Sequence, residues 1–212
     1  MPAPSHLLYL HGFRSSPQSA KALVTGARLQ TIRDERRARG LDPVQWLCPQ
    51  LPPSPAQAMA EMLALVSGVA PGRLALVGSS LGGFYATYLA HHLQARAALL
   101  NPAVNPARDL STQIGELTAW HDAQSAFQFT AEHVREFHAL EVGNLASAAP
   151  EASRYLAVIA QDDEVLDWRE MAARYTGGHL RIVPRGGHAL TNYATHHLDA
   201  VLDFLGIHAD AA

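Results

Sequence analysis

Residues 74–89 restrict the fold of this chain more than any other segment. Four apolar residues lead into Gly78-Ser79-Ser80-Leu81-Gly82, and apolar residues then recur at helical spacing. A strand that turns sharply into a helix at Gly-x-Ser-x-Gly, a nucleophile elbow, lifts the central serine above the edge of a sheet. Gly78 and Gly82 lack side chains that would collide where the strand and the helix approach each other. The segment therefore predicts an α/β fold in which Ser80 is a nucleophile.

Two other interpretations of this segment are weaker. In the first, a tight turn uses its serine only to cap the helix. In the second, the loop binds phosphate, but the Gly-x-Gly-x-x-Gly pattern needs a glycine where Ser80 stands. A nucleophile, in contrast, gains from the helix N-terminus, which directs free N–H groups at the reacting oxygen. Ser79 does not hold the central position of the motif, and we expect it to support the turn.

The remaining apolar segments fit the same architecture. They are short and nearly continuous, which is typical of strands covered on both faces, and segments with helical periodicity separate them. A chain of 212 residues is long enough for one such domain over residues 1–212. We therefore predict a compact α/β-hydrolase fold with a mostly parallel sheet of about six or seven strands flanked by helices. The candidate strands are residues 7–10, 44–48, 74–77, 97–100, 155–160 and 180–183.

Residues 101–150 form a stretch that is too long for a simple crossover between two strands. This stretch contains Trp120, Phe127, Phe129 and Phe137. It forms either an extra helical layer that buries these rings or a short helical cap over a site at the carboxyl edge of the sheet. We favour the cap, because insertions at that edge usually shape a binding pocket.

A serine nucleophile needs a base and an acid, since its hydroxyl is unreactive at neutral pH. In this fold the order along the chain is serine, then acid, then histidine. His188 follows two glycines at the end of the last candidate strand, and we favour it as the base among 12 histidines. Asp163 follows the preceding strand and is favoured as the acid, with Asp162 as the alternative. Asp167 fits a helix N-cap better.

The first candidate strand leads into His11-Gly12-Phe13-Arg14-Ser15. A loop in this position supplies the second donor of an oxyanion hole. We predict that the backbone N–H groups of Phe13 and Leu81 are the two oxyanion donors. His11 is expected to brace the loop, and Arg14 and Ser15 are candidate substrate contacts.

Charge and composition argue against several other classes of protein. The net charge of −3 is spread along the chain and predicts neither a nucleic-acid groove nor a basic membrane patch. No apolar run approaches the ~18 residues of a membrane span, and no signal-peptide pattern is present. No cluster has metal-ligand spacing, so no metal is expected. The single cysteine, Cys48, predicts a reducing, cytoplasmic location, and no neighbour would activate it as a nucleophile.

Further motifs surround these candidates. They are His11-Gly12-Phe13-Arg14-Ser15-Ser16-Pro17 with Ser19-Ala20-Lys21-Ala22, residues 78–87 around Ser80, Asn101-Pro102-Ala103-Val104, residues 163–167, and Gly186-Gly187-His188. Together they resemble the YqiA-like esterases of the α/β-hydrolase superfamily, from the first strand to the last helix. The resemblance implies a compact hydrolase that acts on short-chain esters or acyl thioesters without a cofactor. Carried over by position, it implies a triad of Ser80, Asp163 and His188.

These observations predict a serine esterase that hydrolyses a small-molecule carboxylic ester through an acyl-enzyme. Two alternatives stay open. One is an acyl thioesterase or another acyl-transfer enzyme that uses the same triad. The other is a non-catalytic module that binds a small molecule, because a fold alone does not establish activity.

Overall fold

Strands and helices alternate along most of the chain. The computed structural model describes residues 3–120, 122–145 and 150–210. Within these ranges the strands are β1 (His6–Leu10), β2 (Gln45–Leu47), β3 (Leu74–Ser79), β4 (Arg96–Leu100), β5 (Gly115–Ala119), β6 (Asp122–Phe129), β7 (Tyr155–Ala160) and β8 (His179–Val183). The helices are α1 (Ala20–Ala38), α2 (Pro55–Leu65), α3 (Leu81–Leu93), α4 (Pro106–Asp109), α5 (Ala131–Ala139), α6 (Trp168–Arg174), α7 (Tyr193–His196) and α8 (Leu198–Leu205).

Six of these strands form one parallel sheet with the order β2-β1-β3-β4-β7-β8. They are the six predicted strands, and their ends differ from the prediction by at most two residues. The predicted α/β fold with a mostly parallel sheet is therefore confirmed.

Each face of the sheet carries its own core, because successive side chains of a strand point to opposite faces. Leu8 and Leu10 of β1 pack with helices α2, α3, α5 and α6. Leu7 and Tyr9 of the same strand pack with α1, α7 and α8 on the other face. This two-sided burial explains why the strands are continuous apolar runs and do not alternate with polar residues.

The strand order reverses between β1 and β3, which lie side by side at the centre of the sheet. Ligands of open α/β sheets bind beyond the carboxyl ends of the strands at such a reversal. The loop that follows β1 and the turn that follows β3 therefore meet at this edge. The loops after β4, β7 and β8 end at the same edge, because all these strands are parallel.

The insertion at residues 101–150 differs from the predicted helical cap. It contains the short helices α4 and α5, but β5 and β6 form an antiparallel hairpin between them. The sequence contains the reason, because Phe127 and Phe129 lie two residues apart with Gln128 between them, which is the period of a strand. Residue 121 and residues 146–149 of this prediction lie outside the described residues.

The aromatic side chains of the insertion are not all buried. Phe129 and Phe137 lie in the core, whereas Trp120, at the end of the hairpin, is 73% exposed. The hairpin and α4 lie over the carboxyl edge of the sheet, where they line cavities described below. Over the described ranges of the chain, no helix is both long enough and apolar enough to cross a membrane.

Candidate active site

Ser80 lies at the turn between β3 and α3, and its backbone has a φ of 54°. Few residues other than glycine adopt this region, and strain of this kind concentrates at functional sites. The turn is held by hydrogen bonds to both backbone groups of Ser80. Its N–H donates to the Leu100 carbonyl (3.0 Å), and its carbonyl accepts from the N–H groups of Gly83 (2.8 Å) and Ala103 (3.0 Å).

The two glycines of the predicted nucleophile elbow have no space for a side chain. A Cβ atom on Gly78 would lie 2.2 Å from the Gly82 carbonyl oxygen. A Cβ atom on Gly82 would lie 1.9 Å from the carbonyl oxygen of Leu10, at the end of β1. Both distances are far below any real carbon–oxygen contact, so the turn at Ser80 requires glycine on both sides.

The imidazole of His188 lies between Ser80 and Asp163. The Nε2 atom of His188 is 3.0 Å from Ser80 Oγ, and Nδ1 is 2.8 Å from Asp163 Oδ2. A carboxylate only accepts hydrogen bonds, so Nδ1 carries the proton and Nε2 is left to accept the hydrogen of the Ser80 hydroxyl. The sequence favoured Asp163 as the acid with Asp162 as the alternative, and Asp163 is the residue that contacts the imidazole.

The carboxylate of Asp163 is fully buried at the bottom of this array. Burial acts to raise its pKa, but the hydrogen bond from His188 and those from the N–H groups of Leu166 (2.9 Å) and Val165 (2.8 Å) outweigh it, so the pKa lies below its usual value. The carboxyl group therefore stays ionised and holds the imidazole in one orientation.

Side chains hold most of the polar backbone atoms of residues 187–189, the loop that carries His188. Asp162 Oδ1 accepts from the N–H of Gly187 (2.8 Å), and Glu164 Oε2 accepts from the N–H of His188 (2.9 Å). Together with Asp163, three consecutive acids after β7 thus contact this loop. This contact of Glu164 was not predicted from the sequence. The available signal was its position in a run of three acidic residues.

Asn101 holds the same loop from the end of β4. Its amide nitrogen donates to the carbonyl oxygens of Gly187 (2.9 Å) and His188 (3.2 Å), and its Oδ1 accepts from the N–H of Ala160 (2.8 Å). The residue is buried and has a φ of 43°, which asparagine tolerates better than most residues. Asn101 therefore connects β4, β7 and the loop of His188. Its position directly after a buried strand was the available sequence signal.

Lys21 lines the same cavity as Ser80 and His188. It is the single lysine of the chain, in which the other 15 basic residues are arginines. Its Nζ atom donates to the carbonyl of Ala189 (2.6 Å). Burial lowers the pKa of Lys21 to about 8, and the negative charge of Asp163 partly opposes that shift.

The loop after β1 lies against Ser80, as a Cβ atom built on Gly12 would be 3.8 Å from Ser80 Oγ. The N–H groups of Phe13 and Leu81, the predicted oxyanion donors, donate to no acceptor within the described part of the chain. His11 braces this loop from below: it is buried, its Nε2 accepts from the N–H of Leu51 (3.1 Å), and its Nδ1 donates to the Gly12 carbonyl (3.0 Å).

Arg14, a candidate substrate contact, binds the hairpin of the insertion. Its Nε atom donates to the carbonyl of Thr118 (2.6 Å), its guanidinium lies 3.9 Å from the centroid of the Trp120 ring, and its carbonyl accepts from the N–H of Trp120 (2.8 Å). The neighbouring Phe13 ring packs edge-on against Phe129, with centroids 5.0 Å apart. The hairpin and the loop after β1 are thus joined. Arg14 and Ser15 both line the cavity at Ser80.

Other chemistries find less support among the described residues. In those ranges no group of three or more His, Cys, Asp or Glu side chains is arranged to hold a metal ion. Burial raises the pKa of the Cys48 thiol to about 11. A thiol that stays protonated at neutral pH is a poor nucleophile.

The parallel sheet and the turn at Ser80 define the fold as that of the α/β hydrolases. Solved structures of this fold match nearly the whole chain. A putative hydrolase from Agrobacterium vitis S4 has a TM-score of 0.63 and 18% identity, covering 96% of this chain and 90% of that one. The mouse alpha/beta hydrolase domain-containing protein 10 has a TM-score of 0.64 and 16% identity, covering 94% and 88%. An esterase from Pyrococcus furiosus has a TM-score of 0.60 and 12% identity, covering 96% and 82%.

The chain belongs to UPF0227, an uncharacterised protein family, whose model matches residues 6–206. This is the YqiA-like family, so the resemblance seen in the sequence motifs is confirmed.

Proposed function

We propose that this protein is a serine esterase that hydrolyses small carboxylic esters through an acyl-enzyme. One observation carries the proposal: the His188 imidazole lies 3.0 Å from the Ser80 hydroxyl and 2.8 Å from the buried Asp163 carboxylate. An imidazole held in this way can remove the proton of a serine and return it to a leaving group. The esterases among the solved structures of the same fold support this reaction type.

In the proposed reaction, Ser80 Oγ attacks the ester carbonyl carbon while His188 Nε2 takes the hydroxyl proton. The N–H groups of Phe13 and Leu81 stabilise the negative oxygen of the tetrahedral intermediate. His188 then gives its proton to the leaving alcohol, and the acyl group stays on Ser80. Water attacks this new ester with the help of His188, which releases the carboxylic acid and restores the serine. Neither acylation nor deacylation needs a cofactor in this proposal.

We further propose that residues 101–150 act as a cap on one catalytic domain. The hairpin contributes Trp120 to the cavity that contains Ser80, and Ala119 and Phe127 to a second cavity on the other side of the loop after β1. Because Arg14 and Phe13 contact the hairpin, the cap also supports the loop that carries an oxyanion donor. A cytoplasmic location stays a prediction from the cysteine content.

The test combines covalent labelling with turnover. We expect a fluorophosphonate probe to label the wild-type protein, and p-nitrophenyl esters to be hydrolysed. Ser80→Ala should abolish labelling and lower kcat by about 10⁴ or more. Ser67→Ala is the matched control, because Ser67 is exposed and its hydroxyl only donates to the Ala64 carbonyl. A protein that is neither labelled nor active on any ester would contradict the proposal.

A panel of substrates separates this proposal from its alternatives. Turnover of acyl thioesters in preference to oxygen esters would assign a thioesterase to the same residues. Probe labelling without turnover of any ester, thioester or amide would indicate a module that binds small molecules without catalysis.

A further inference from the structure

Two cavities meet at the loop after β1. The smaller, of about 320 Å³, lies toward β2 and is lined in part by Leu51, Pro52 and Tyr85. The larger, of about 680 Å³, contains Ser80 and His188. Gly12, Phe13, Arg14, Ser15 and Leu81 line both cavities. The residues of the proposed oxyanion donors therefore lie at the boundary between the two.

The two cavities differ in chemical character. The smaller one is walled mainly by apolar groups, including Pro53, Ala119 and Phe127, and none of its lining residues is acidic. Among its polar lining side chains, those of His11, Arg14 and Gln50 are engaged by hydrogen bonds to neighbouring segments of the protein, and Ser15 and Tyr85 add two hydroxyl groups. The larger cavity offers the Lys21 ammonium, the Asp109 carboxylate and the Gln113 amide. An apolar group is therefore accommodated better in the smaller cavity and a polar one in the larger.

The proposed reaction orients a substrate between them. The leaving oxygen must lie within hydrogen-bond reach of His188 Nε2 to receive its proton, so the leaving group lies in the larger cavity. The carbonyl oxygen must face the N–H groups of Phe13 and Leu81. The remaining substituent of the tetrahedral carbon is the acyl chain, and it then points away from His188. Gly12 leaves this path open, because it has no side chain beside Ser80 Oγ.

We infer that the acyl chain of the substrate lies in the smaller cavity and its alcohol in the larger one. This inference rests on the proposed esterase function and specifies its substrate class: an ester of an apolar acid with a larger, polar alcohol. At ~30 Å³ per heavy atom, the smaller cavity accepts an acyl chain of about ten heavy atoms. Ala119 and Phe127 determine the accepted chain length, and Val165, at the edge of the larger cavity, affects only the choice of alcohol.

The test measures kcat/KM over two substrate series in three variants. The first series is p-nitrophenyl esters with acyl chains of increasing length, and the second is butyrate esters of alcohols of increasing size. In the wild type, kcat/KM should rise about fourfold per methylene, the value for burying one CH₂ group, until the cavity is full. Ala119→Leu should move the optimum to shorter chains, and Phe127→Ala should move it to longer ones.

Val165→Trp is the matched control in the other cavity, since its side chain is 63% exposed and the exchange disturbs no core packing. It should change the alcohol series and leave the acyl optimum in place. A structure of the Ser80 adduct of a hexylphosphonate should show the hexyl chain between Leu51 and Tyr85. If Ala119→Leu and Phe127→Ala shift the alcohol series instead, or neither shifts the acyl optimum, the inference is wrong while the esterase proposal stands. If the wild type hydrolyses no ester, both are wrong.

Discussion

Asn101 provides the sharpest test of how this fold positions its histidine. In Asn101→Ala, the N–H of Ala160 loses its acceptor at a position that is fully buried. An unsatisfied buried donor costs about 1–3 kcal/mol. Alanine at a φ of 43° adds about 1 kcal/mol, because a Cβ atom is disfavoured in that region. We therefore expect the free energy of unfolding to fall by about 2–4 kcal/mol.

The same variant also releases the loop of His188. The carbonyl oxygens of Gly187 and His188 lose their shared donor, and water can replace it because the loop lies at the cavity. The cost to stability is small there, but the loop keeps only its contacts with Asp162, Glu164 and Lys21, so the imidazole is held less firmly at its distance from Ser80. A displacement of about 1 Å at a reacting group lowers the rate by up to about 10²-fold. We expect kcat/KM for a p-nitrophenyl ester to fall 10- to 100-fold.

Urea unfolding followed by circular dichroism, together with steady-state kinetics below the unfolding transition, measures both effects. Asn105→Ala is the control, because Asn105 is an exposed N-cap that accepts one hydrogen bond, from Arg108. Loss of this hydrogen bond should lower the free energy of unfolding by about 1 kcal/mol and leave kcat/KM of the folded protein near the wild-type value. If the free energy of unfolding of Asn101→Ala lies within about 0.5 kcal/mol of the wild-type value, and its kcat/KM is unchanged, the reasoning about this side chain is refuted.

Three further predictions concern the acid, the pH dependence and the hairpin. Asp163→Asn should lower kcat by about 10⁴, whereas Asp162→Asn, which disturbs only the bond to Gly187, should lower it by about tenfold; equal effects in steady-state assays would contradict the assignment. Because the pKa of Asp163 lies below its usual value, protonation of this carboxylate should not contribute to any loss of kcat/KM above about pH 4, and uptake of two protons on the acid limb above that pH would argue against it. The stability that the ionised Asp163 contributes should be fully present above about pH 4, and it should disappear as the pH falls through the pKa that Asp163 has in the folded protein. Thermal melts of the wild type and of Asp163→Asn over this pH range measure the difference. Trp120→Ala removes the ring that the Arg14 guanidinium covers, and should lower kcat about two- to fivefold, the equivalent of an exposed cation–π contact, with Trp120→Phe retaining most of the activity.

The sheet could be predicted from the sequence because its signals are local. Each strand is an apolar run with clear ends, and burial on both faces makes such runs continuous. The hairpin of the insertion was missed because its signal is weak: polar residues such as Glu116, Gln124 and Gln128 interrupt β5 and β6. Arg14, which binds the hairpin, lies 104 positions away from Thr118 in the chain. The length of the insertion indicated a cap, but it carried no information about the secondary structure of that cap.

The residues of the candidate site also differ in how clearly the sequence indicates them. Ser80 and His188 stand at strand ends with flanking glycines, which is a local pattern. The choice between Asp162 and Asp163 depends on which carboxylate the turn directs at the imidazole, and adjacent residues of a turn point in different directions. The contacts of Asn101 join residues 59 to 87 positions apart in the chain. No periodicity in a single sequence encodes a hydrogen bond over that separation.

Lys21 gives the molecule a single side-chain amine inside its main cavity. At a pH near 8, about half of these amines are uncharged and able to react, since burial lowers the pKa of Lys21 to about 8, while the guanidinium groups of the arginines stay protonated and inert. Apart from the terminal amine, a mild acylating reagent should therefore leave a lasting amide only on Lys21, in the cavity that also contains Ser80, because an ester formed on Ser80 is hydrolysed in the proposed reaction. A fluorophore or an isotope-labelled methyl group attached there would report on whatever enters the cavity, in the unmutated chain.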